Sequence, residues 1–95
     1  MTTAQKHSRA CKDFKAHFLE EHSYGYCEIC SRSDKPMDAH HVYMASQYPK
    51  HKYLHDFRNI VLLCRDCHNK AHAREIDDWI EKIKRERKLD ELFML

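Results

Sequence analysis

The stretch that decides the fold runs from Cys27 to His72 and reads CEICSRSDKPMDAHHVYMASQYPKHKYLHDFRNIVLLCRDCHNKAH. A Cys-x-x-Cys pair stands near each end of it, a His-His pair lies between the two, and a His-x-x-x-His pair follows the second. Cysteine and histidine at such short spacings are typical of metal ligands. The stretch therefore predicts two metal sites, one that stabilises the fold and one that supports chemistry.

Four of the five cysteines form the first predicted site. A Cys-x-x-Cys turn brings two thiolates to one ion, and four thiolates complete the tetrahedron that Zn²⁺ prefers in structural sites. Because such a site leaves no open position for a substrate, we interpret this zinc as structural. The expected ligands are Cys27, Cys30, Cys64 and Cys67. The fifth cysteine, Cys11, is expected to be a buried structural thiol in a helix.

The composition is that of one small domain whose fold depends on such a structural metal site. Of its 95 residues, 42% are hydrophobic and 34% are charged, so the core is thin and zinc is expected to supply part of the folding free energy. The net charge is only +2, so any affinity for nucleic acid must come from local clusters of charge and from bound metal. No apolar run approaches the roughly 18–20 residues of a membrane span, and no signal-peptide pattern is present. We expect a cytoplasmic protein with reduced thiols and no membrane partner.

The apolar periodicity predicts an α+β fold in a single domain, residues 1–95. A helix is expected over about residues 4–21, where apolar side chains recur at three- and four-residue spacing. Short strands are expected over residues 37–44 and 60–63, since both contain β-branched or apolar runs. They are expected to pair as a hairpin.

The C-terminal part is expected to be helical. The pattern predicts one helix over about residues 67–88, with Ile76, Trp79, Ile80 and Ile83 as its apolar stripe. The tail, residues 89–95, is apolar enough to pack back on the domain or to contact a partner.

Three histidines form the second predicted site. His68 and His72 are four residues apart on a helix, so their imidazoles share one face, and His40 can join them if the hairpin folds onto the helix start. Three imidazoles suit Zn, Ni, Co or Fe better than Mg, and three protein ligands leave an open position for water or a phosphate oxygen. The alternative is a second closed zinc site that uses a further ligand.

His41 and Asn59 complete the candidate site. Neighbouring strand residues point to opposite faces, so His40 and His41 can share a site only if the backbone twists or bulges there. His41 would then be a free imidazole with a pKa near 6.5, suited to take a proton from water. Asn59 would either tie the long loop to the hairpin or act as a metal ligand.

The arrangement AHHV…RNIVLLCRDCHNKAH resembles the HNH endonuclease family, in its subset with two Cys-x-x-Cys zinc knuckles. The resemblance covers about residues 27–72 and implies a zinc-stapled, treble-clef-like ββα-metal core with flanking N- and C-terminal helices. It implies DNA as the substrate and phosphodiester hydrolysis as the reaction. It also implies a catalytic divalent metal, which would be Mg²⁺, Mn²⁺, Ni²⁺ or Zn²⁺.

The resemblance also implies roles for single residues. His41 would be the general base, His40 a ligand of the catalytic ion, Asn59 the central asparagine and His68 the final histidine of the motif. His72 matches the extra metal-binding histidine of the colicin-like branch. Many relatives have an acidic residue at the position of His40 and a glycine in the following loop, and this chain has neither.

Four cations near the motif are candidates for contact with DNA phosphates, which would bind DNA without reading its sequence. They are Arg58, Arg65, Lys70 and Arg74. The leading hypothesis is therefore a DNA nickase of weak sequence specificity, with the oligomeric state left open. The alternatives are a non-catalytic zinc-dependent nucleic-acid-binding or adaptor domain, and a component of a phage or bacterial DNA-processing complex such as a packaging or recombination machine.

Overall fold

A long N-terminal helix begins the fold in the computed structural model, which describes residues 2–44, 46–48 and 50–94. Helix α1 spans Thr3–His22 and includes the whole of the helix expected over residues 4–21. Its first turn is closed by a capping box, in which the Thr2 hydroxyl accepts from the Gln5 N–H and the Gln5 side chain accepts from the Thr2 N–H. Helix α1 ends at Ser23, whose left-handed backbone (φ 67°) turns the chain away.

Two short antiparallel strands form the centre of the fold. Strand β1 is Met37–His41 and strand β2 is Ile60–Cys64, with Met37 opposite Cys64 and His41 opposite Ile60. The strand predicted over residues 37–44 is therefore too long. The side chain of Asn59 explains its early end, because it accepts from the Tyr43 N–H and donates to the Tyr43 carbonyl. At Tyr43 the side-chain amide of Asn59 thus takes the place of a backbone partner on β2.

Both faces of this hairpin are covered, which explains why β2 is an unbroken apolar run. Ile60 and Leu62 pack with Phe14 and Phe18 of α1. The alternate residues of β2 belong to a second cluster on the other face, with the cysteines and the C-terminal segment. That cluster contains Cys27, Val42, Val61, Leu63, Cys64, Cys67, Leu89, Leu92 and Phe93. Helix α1 and the C-terminal half of the chain thus enclose the hairpin between them.

The C-terminal half contains three helices instead of the single helix predicted over residues 67–88. Helix α2 is Arg65–His72, α3 is Asp77–Glu86 and α4 is Leu89–Phe93. Between α2 and α3 the backbone of Arg74 is left-handed (φ 62°), and the Glu75 N–H donates to the Lys70 carbonyl. The apolar periodicity runs through this break because Ile80 and Ile83 still pack on the core, whereas Trp79 is 44% exposed.

The tail packs back on the domain. Leu89, Leu92 and Phe93 are buried, and the Phe93 ring stacks on Tyr43 and His51 at centroid distances of 4.3 and 4.4 Å. The Tyr43 hydroxyl also donates to Asp90. The apolar residues of α4 therefore close the side of the hairpin that α1 leaves open.

Arg87 and Glu28 connect the tail to the edge of β2. The Arg87 guanidinium donates to the Ile60 carbonyl at 2.9 Å and to the Glu28 carboxylate at 2.9 Å. The other carboxylate oxygen of Glu28 accepts from the Leu62 N–H, and the Glu28 N–H donates to the Leu62 carbonyl. Sequence patterns gave no sign of this link.

None of the helices in the described part of the chain has the length and apolarity that crossing a membrane requires.

The left-handed backbone of Arg74, between α2 and α3, predicts whether a glycine there stabilises or destabilises the domain. Glycine adopts left-handed backbone without strain, so Arg74→Gly is expected to stabilise the domain by about 0.5–1 kcal/mol. The exposed Arg74–Asp77 ion pair that is lost contributes little. Urea unfolding of the zinc-loaded protein measures the difference.

Arg85→Gly is the matched control for this experiment. Arg85 lies in the last turn of α3 and is exposed, so glycine there relieves no strain and should destabilise by up to about 1 kcal/mol. If Arg74→Gly destabilises as much as Arg85→Gly, the left-handed turn at residue 74 is wrong.

Candidate active site

Four cysteine sulfurs meet where the first knuckle approaches the junction of β2 and α2. Their Sγ atoms all lie within 4.8 Å of one another, and Cys30 and Cys64 are 3.7 Å apart. A tetrahedron with Zn–S bonds of about 2.3 Å has S···S edges of roughly 3.8 Å. Backbone N–H groups of Cys30 and Cys67 also donate to the sulfurs of Cys27 and Cys64. The cluster therefore fits a zinc ion.

Burial and hydrogen bonds change the acidity of two of the thiols in opposite directions. Burial by itself raises the pKa of Cys27, but hydrogen bonds from backbone N–H groups outweigh it and bring the pKa to about 7. Burial raises the pKa of Cys67, and the neighbouring sulfurs raise it further. Cys27 therefore ionises more readily than Cys67, and a metal ion between the sulfurs would favour the thiolate form of both.

His40, His68 and His72 form a second cluster. Their donor atoms lie within 4.8 Å of one another, and the Nε2 atoms of His68 and His72 are 3.0 Å apart. The three ring centroids are separated by 4.7–5.2 Å. Imidazoles bonded to one ion at about 2.0–2.1 Å have ring centres roughly 5 Å apart, so this arrangement fits a divalent transition metal.

A carboxylate supports this imidazole cluster from behind. Asp38 lies two residues before His40 on β1, and its Oδ2 atom is 3.1 Å from Nδ1 of His68. A hydrogen bond from Nδ1–H to this oxygen leaves the Nε2 lone pair of His68 toward His72 and the metal position. Asp38 also pairs with Arg65 at 3.0 Å. Sequence analysis missed Asp38, although its two-residue spacing from His40 puts both on one strand face.

His41 points to the opposite side of the hairpin. The strand alternates regularly, with His40 opposite Val61 and His41 opposite Ile60, so the predicted twist or bulge is not needed. His41 meets His7 of α1, whose ring centroid is 4.4 Å away, and His55, whose Nδ1 is 3.1 Å from the His41 Nε2. Because β1 ends at this point, both neighbouring histidines still line one cavity.

That cavity has a volume of about 310 Å³. All three members of the imidazole cluster line it together with His7 and His41. The Nδ1 atom of His41 is buried and has no hydrogen-bond partner among the described residues. An unpaired polar atom of this kind calls for water or a ligand next to it.

Burial changes the acidity of the two adjacent histidines. Burial, followed by the nearby His68 and His72, lowers the pKa of His40 to about 4. Burial, followed by His7, His55 and His40, lowers the pKa of His41 to about 4 as well. The value near 6.5 expected for His41 is therefore wrong. Both side chains are neutral at neutral pH, with lone pairs available for a metal or a proton.

Asn59 is fully buried and all of its amide hydrogen-bonding groups face backbone. Besides its two bonds to Tyr43, its Nδ2 donates to the Leu54 carbonyl at 2.8 Å. Of the two expected roles, the contacts favour the one in which Asn59 ties the loop to the hairpin. The amide has little capacity left to bind a metal.

The four candidate DNA contacts differ in how they are held. Three are paired with carboxylates: Arg58 with Asp56, Arg65 with Asp38, and Arg74 with Asp77. Lys70 is exposed on α2 and has no ion-pair partner in the described part of the chain.

The second group of residues that sequence analysis missed is the set around His41. His7 and His55 have no motif in common, and α1 and the loop that hold them are far apart in the sequence. Only the packing of α1 against the hairpin brings them together. No signal in the sequence could have found this pair.

Comparison with known proteins gives one family. The sequence model of the HNH endonuclease family matches residues 27–74, which is 48 of the 95 residues. The matched region includes both Cys pairs, the imidazole cluster, His41 and Asn59. No curated protein and no solved structure matches the chain.

The cysteine cluster predicts a loss of folding when one ligand is removed. Structural zinc contributes on the order of 10 kcal/mol in small domains, so Cys67→Ser should lose its tightly bound zinc and be largely unfolded at 25 °C. Metal analysis and circular dichroism measure both effects. Cys11→Ser, a half-buried thiol of α1, should keep the zinc and most of the stability. A folded Cys67→Ser protein with full zinc content would contradict the assignment.

Because Asp38 supports the imidazole cluster, replacing Asp38 should weaken metal binding there. Asp38→Asn removes the charge that orients His68, so affinity for Ni²⁺ should fall by about 10–100-fold. Calorimetric titration of protein that carries zinc in the cysteine cluster alone measures this, and the binding step that disappears in His72→Ala identifies the site. Asp66→Asn is the control, since that exposed carboxylate contacts Arg32 instead. Equal affinities for Asp38→Asn and the wild type would exclude the supporting role.

Proposed function

Because the chain belongs to the HNH endonuclease family, we propose that it is a metal-dependent DNA endonuclease that hydrolyses phosphodiester bonds. The observation that supports this most directly is the pair His40–His41. One histidine belongs to a three-imidazole cluster suited to a metal, and the next offers an unpartnered buried nitrogen, and both line the same cavity. A domain that only binds nucleic acid has no use for this combination.

The imidazole cluster would hold the catalytic ion. His40, His68 and His72 supply three neutral donors and leave the cavity side of the ion open. A divalent ion bound there neutralises charge on the scissile phosphate and assists the leaving 3′-oxygen. Imidazole donors favour Ni²⁺ or Zn²⁺ over Mg²⁺ at such a site, and Mn²⁺ is intermediate.

His41 would be the general base. When its Nε2–H donates to Nδ1 of His55, its Nδ1 carries the lone pair, and this is the atom without a partner. Because Nδ1 is buried, the cavity wall would have to move slightly to admit a water, which could then give up its proton there as it attacks phosphorus. The low pKa means that His41 is unprotonated at neutral pH and releases the proton easily after the reaction.

Surface cations would hold the DNA. Lys70 is available for a phosphate directly, whereas Arg58, Arg65 and Arg74 would have to share their charge with the carboxylates that they contact. Such contacts recognise the backbone, so we expect weak sequence specificity. One catalytic site per chain favours nicking over double-strand cleavage.

A role within a larger DNA-processing assembly is the second candidate. The exposed Trp79 of α3 favours it, because a large aromatic side chain in water is typical of interaction surfaces. The domain would then act as a zinc-dependent adaptor or as the nuclease subunit of such a complex.

Plasmid nicking tests the proposed function. Protein that carries zinc in the cysteine cluster alone is incubated with supercoiled DNA and Mg²⁺, Mn²⁺, Ni²⁺ or Zn²⁺ in turn, and we expect conversion to open circles with at least one of these metals. General bases contribute about 10²–10⁴-fold, so His41→Ala should lose at least a hundredfold in rate. His22→Ala is the control, since His22 lies at the exposed end of α1 outside both histidine clusters.

Circular dichroism and zinc content separate lost catalysis from lost folding in both variants. A folded wild type that is inert with all four metals would favour the adaptor. A His41→Ala protein as active as the wild type would remove His41 from the role of base.

A further inference from the structure

Three histidines from three distant parts of the chain meet on the face of the hairpin opposite the imidazole cluster. His7 comes from α1, His41 from the end of β1, and His55 from the turn before β2. Their donor atoms lie within 4.8 Å of one another, the same limit that includes the cysteine cluster and the imidazole cluster. We call this set the His7 cluster.

The geometry of the His7 cluster is close to that of a metal site. The His41 Nε2 and His55 Nδ1 atoms are 3.1 Å apart, against 3.0 Å for the facing nitrogens of His68 and His72. The ring centroids are separated by 4.4, 5.2 and 6.0 Å, values that bracket the roughly 5 Å of imidazoles on one ion. The His7 ring is stacked on His41 with 27° between the ring planes, so metal binding requires a rotamer change that turns a His7 nitrogen toward the ion, and the half-buried position of His7 near the start of α1 allows it.

We propose that the His7 cluster is a second transition-metal site, and that an ion bound there, zinc in particular, inhibits the endonuclease. The metal-binding half of this inference stands on the donor atoms alone. The inhibitory half rests on the proposed function, because it requires His41 to be the base.

The donor set determines which metals bind. All members of the His7 cluster are imidazoles, and no carboxylate belongs to it among the described residues. Imidazole binds Zn²⁺, Ni²⁺ and Cu²⁺ much more tightly than Mg²⁺ or Mn²⁺. The nearby Lys6 opposes any cation modestly, which further disfavours weakly held ions. We therefore expect zinc to fill the His7 cluster at concentrations at which Mn²⁺ leaves it empty.

Inhibition follows from the nitrogen that the ion would use. The Nε2 atom of His41 faces His55, so it would become the ligand, and the imidazole proton would then reside on Nδ1. Nδ1–H is a donor and cannot accept a proton from water. The same side chain thus serves as a base when the cluster is empty and is blocked when it is filled, with no change in the number of bound protons.

A count of bound zinc tests the site without any reference to activity. The full chain is dialysed against buffered zinc, and the metal content is measured per chain. We expect three zinc ions in the wild type and two in both His7→Ala and His55→Ala. His22→Ala should retain three and His72→Ala should lose one from the imidazole cluster. An unchanged count in His7→Ala and His55→Ala would overturn the site.

Inhibition is measured separately as Mn²⁺-supported nicking at rising zinc concentration, with each protein normalised to its own rate without added zinc. In His7→Ala the zinc concentration for half-inhibition should rise at least tenfold. If the zinc count falls but half-inhibition does not move, zinc acts by displacing Mn²⁺ and the inhibitory half is wrong. If no protein nicks DNA with any metal, the proposed function fails while the zinc count still decides the site.

Discussion

The meeting of four sulfurs at the junction of β2 and α2 is the constraint on which the other parts of the structure depend. Cys64 ends β2, caps the N-terminus of α2 through its sulfur, and faces Met37 across the hairpin. A zinc ion held there fixes the direction in which α2 leaves the sheet. His68 and His72 lie on the first two turns of α2, so zinc in the cysteine cluster would also determine where the imidazole cluster lies.

Because side chains alternate along β1, His40 and His41 face opposite sides of the hairpin. His40 faces α2 and two more imidazoles, and His41 faces α1 and the loop. A two-stranded sheet is narrow enough for both faces to open into one cavity at its end. The proposed metal ligand and the proposed base can therefore be consecutive residues without any distortion of the backbone.

Local patterns predicted the parts of the fold that local physics decides. The helix expected over residues 4–21, the apolar strand before Cys64 and the cysteine cluster all follow from periodicity or ligand spacing. The single helix over residues 67–88 was wrong because apolar spacing cannot reveal a left-handed residue at Arg74 whose neighbours keep the same face. The position of Asn59 in the motif was readable, but its bonds to Tyr43 and Leu54 depend on how the loop returns.

The pKa of His41 was misjudged for a similar reason. Its burial and the charges of His7 and His55 come from α1 and from a loop, and neither is near it in the sequence. Spacing identifies ligands that share an element, such as His68 and His72. It does not identify neighbours that only tertiary packing supplies.

The link between Glu28 and Arg87 has a consequence for solubility. In a two-stranded sheet each strand has an outer edge of unpaired N–H and C=O groups, which is a template for pairing with another chain. On β2 the N–H and carbonyl of Leu62 are taken by Glu28, and the carbonyl of Ile60 is taken by Arg87. The most apolar strand of the protein therefore presents its outer edge already occupied, and two copies cannot join there into a continuous sheet.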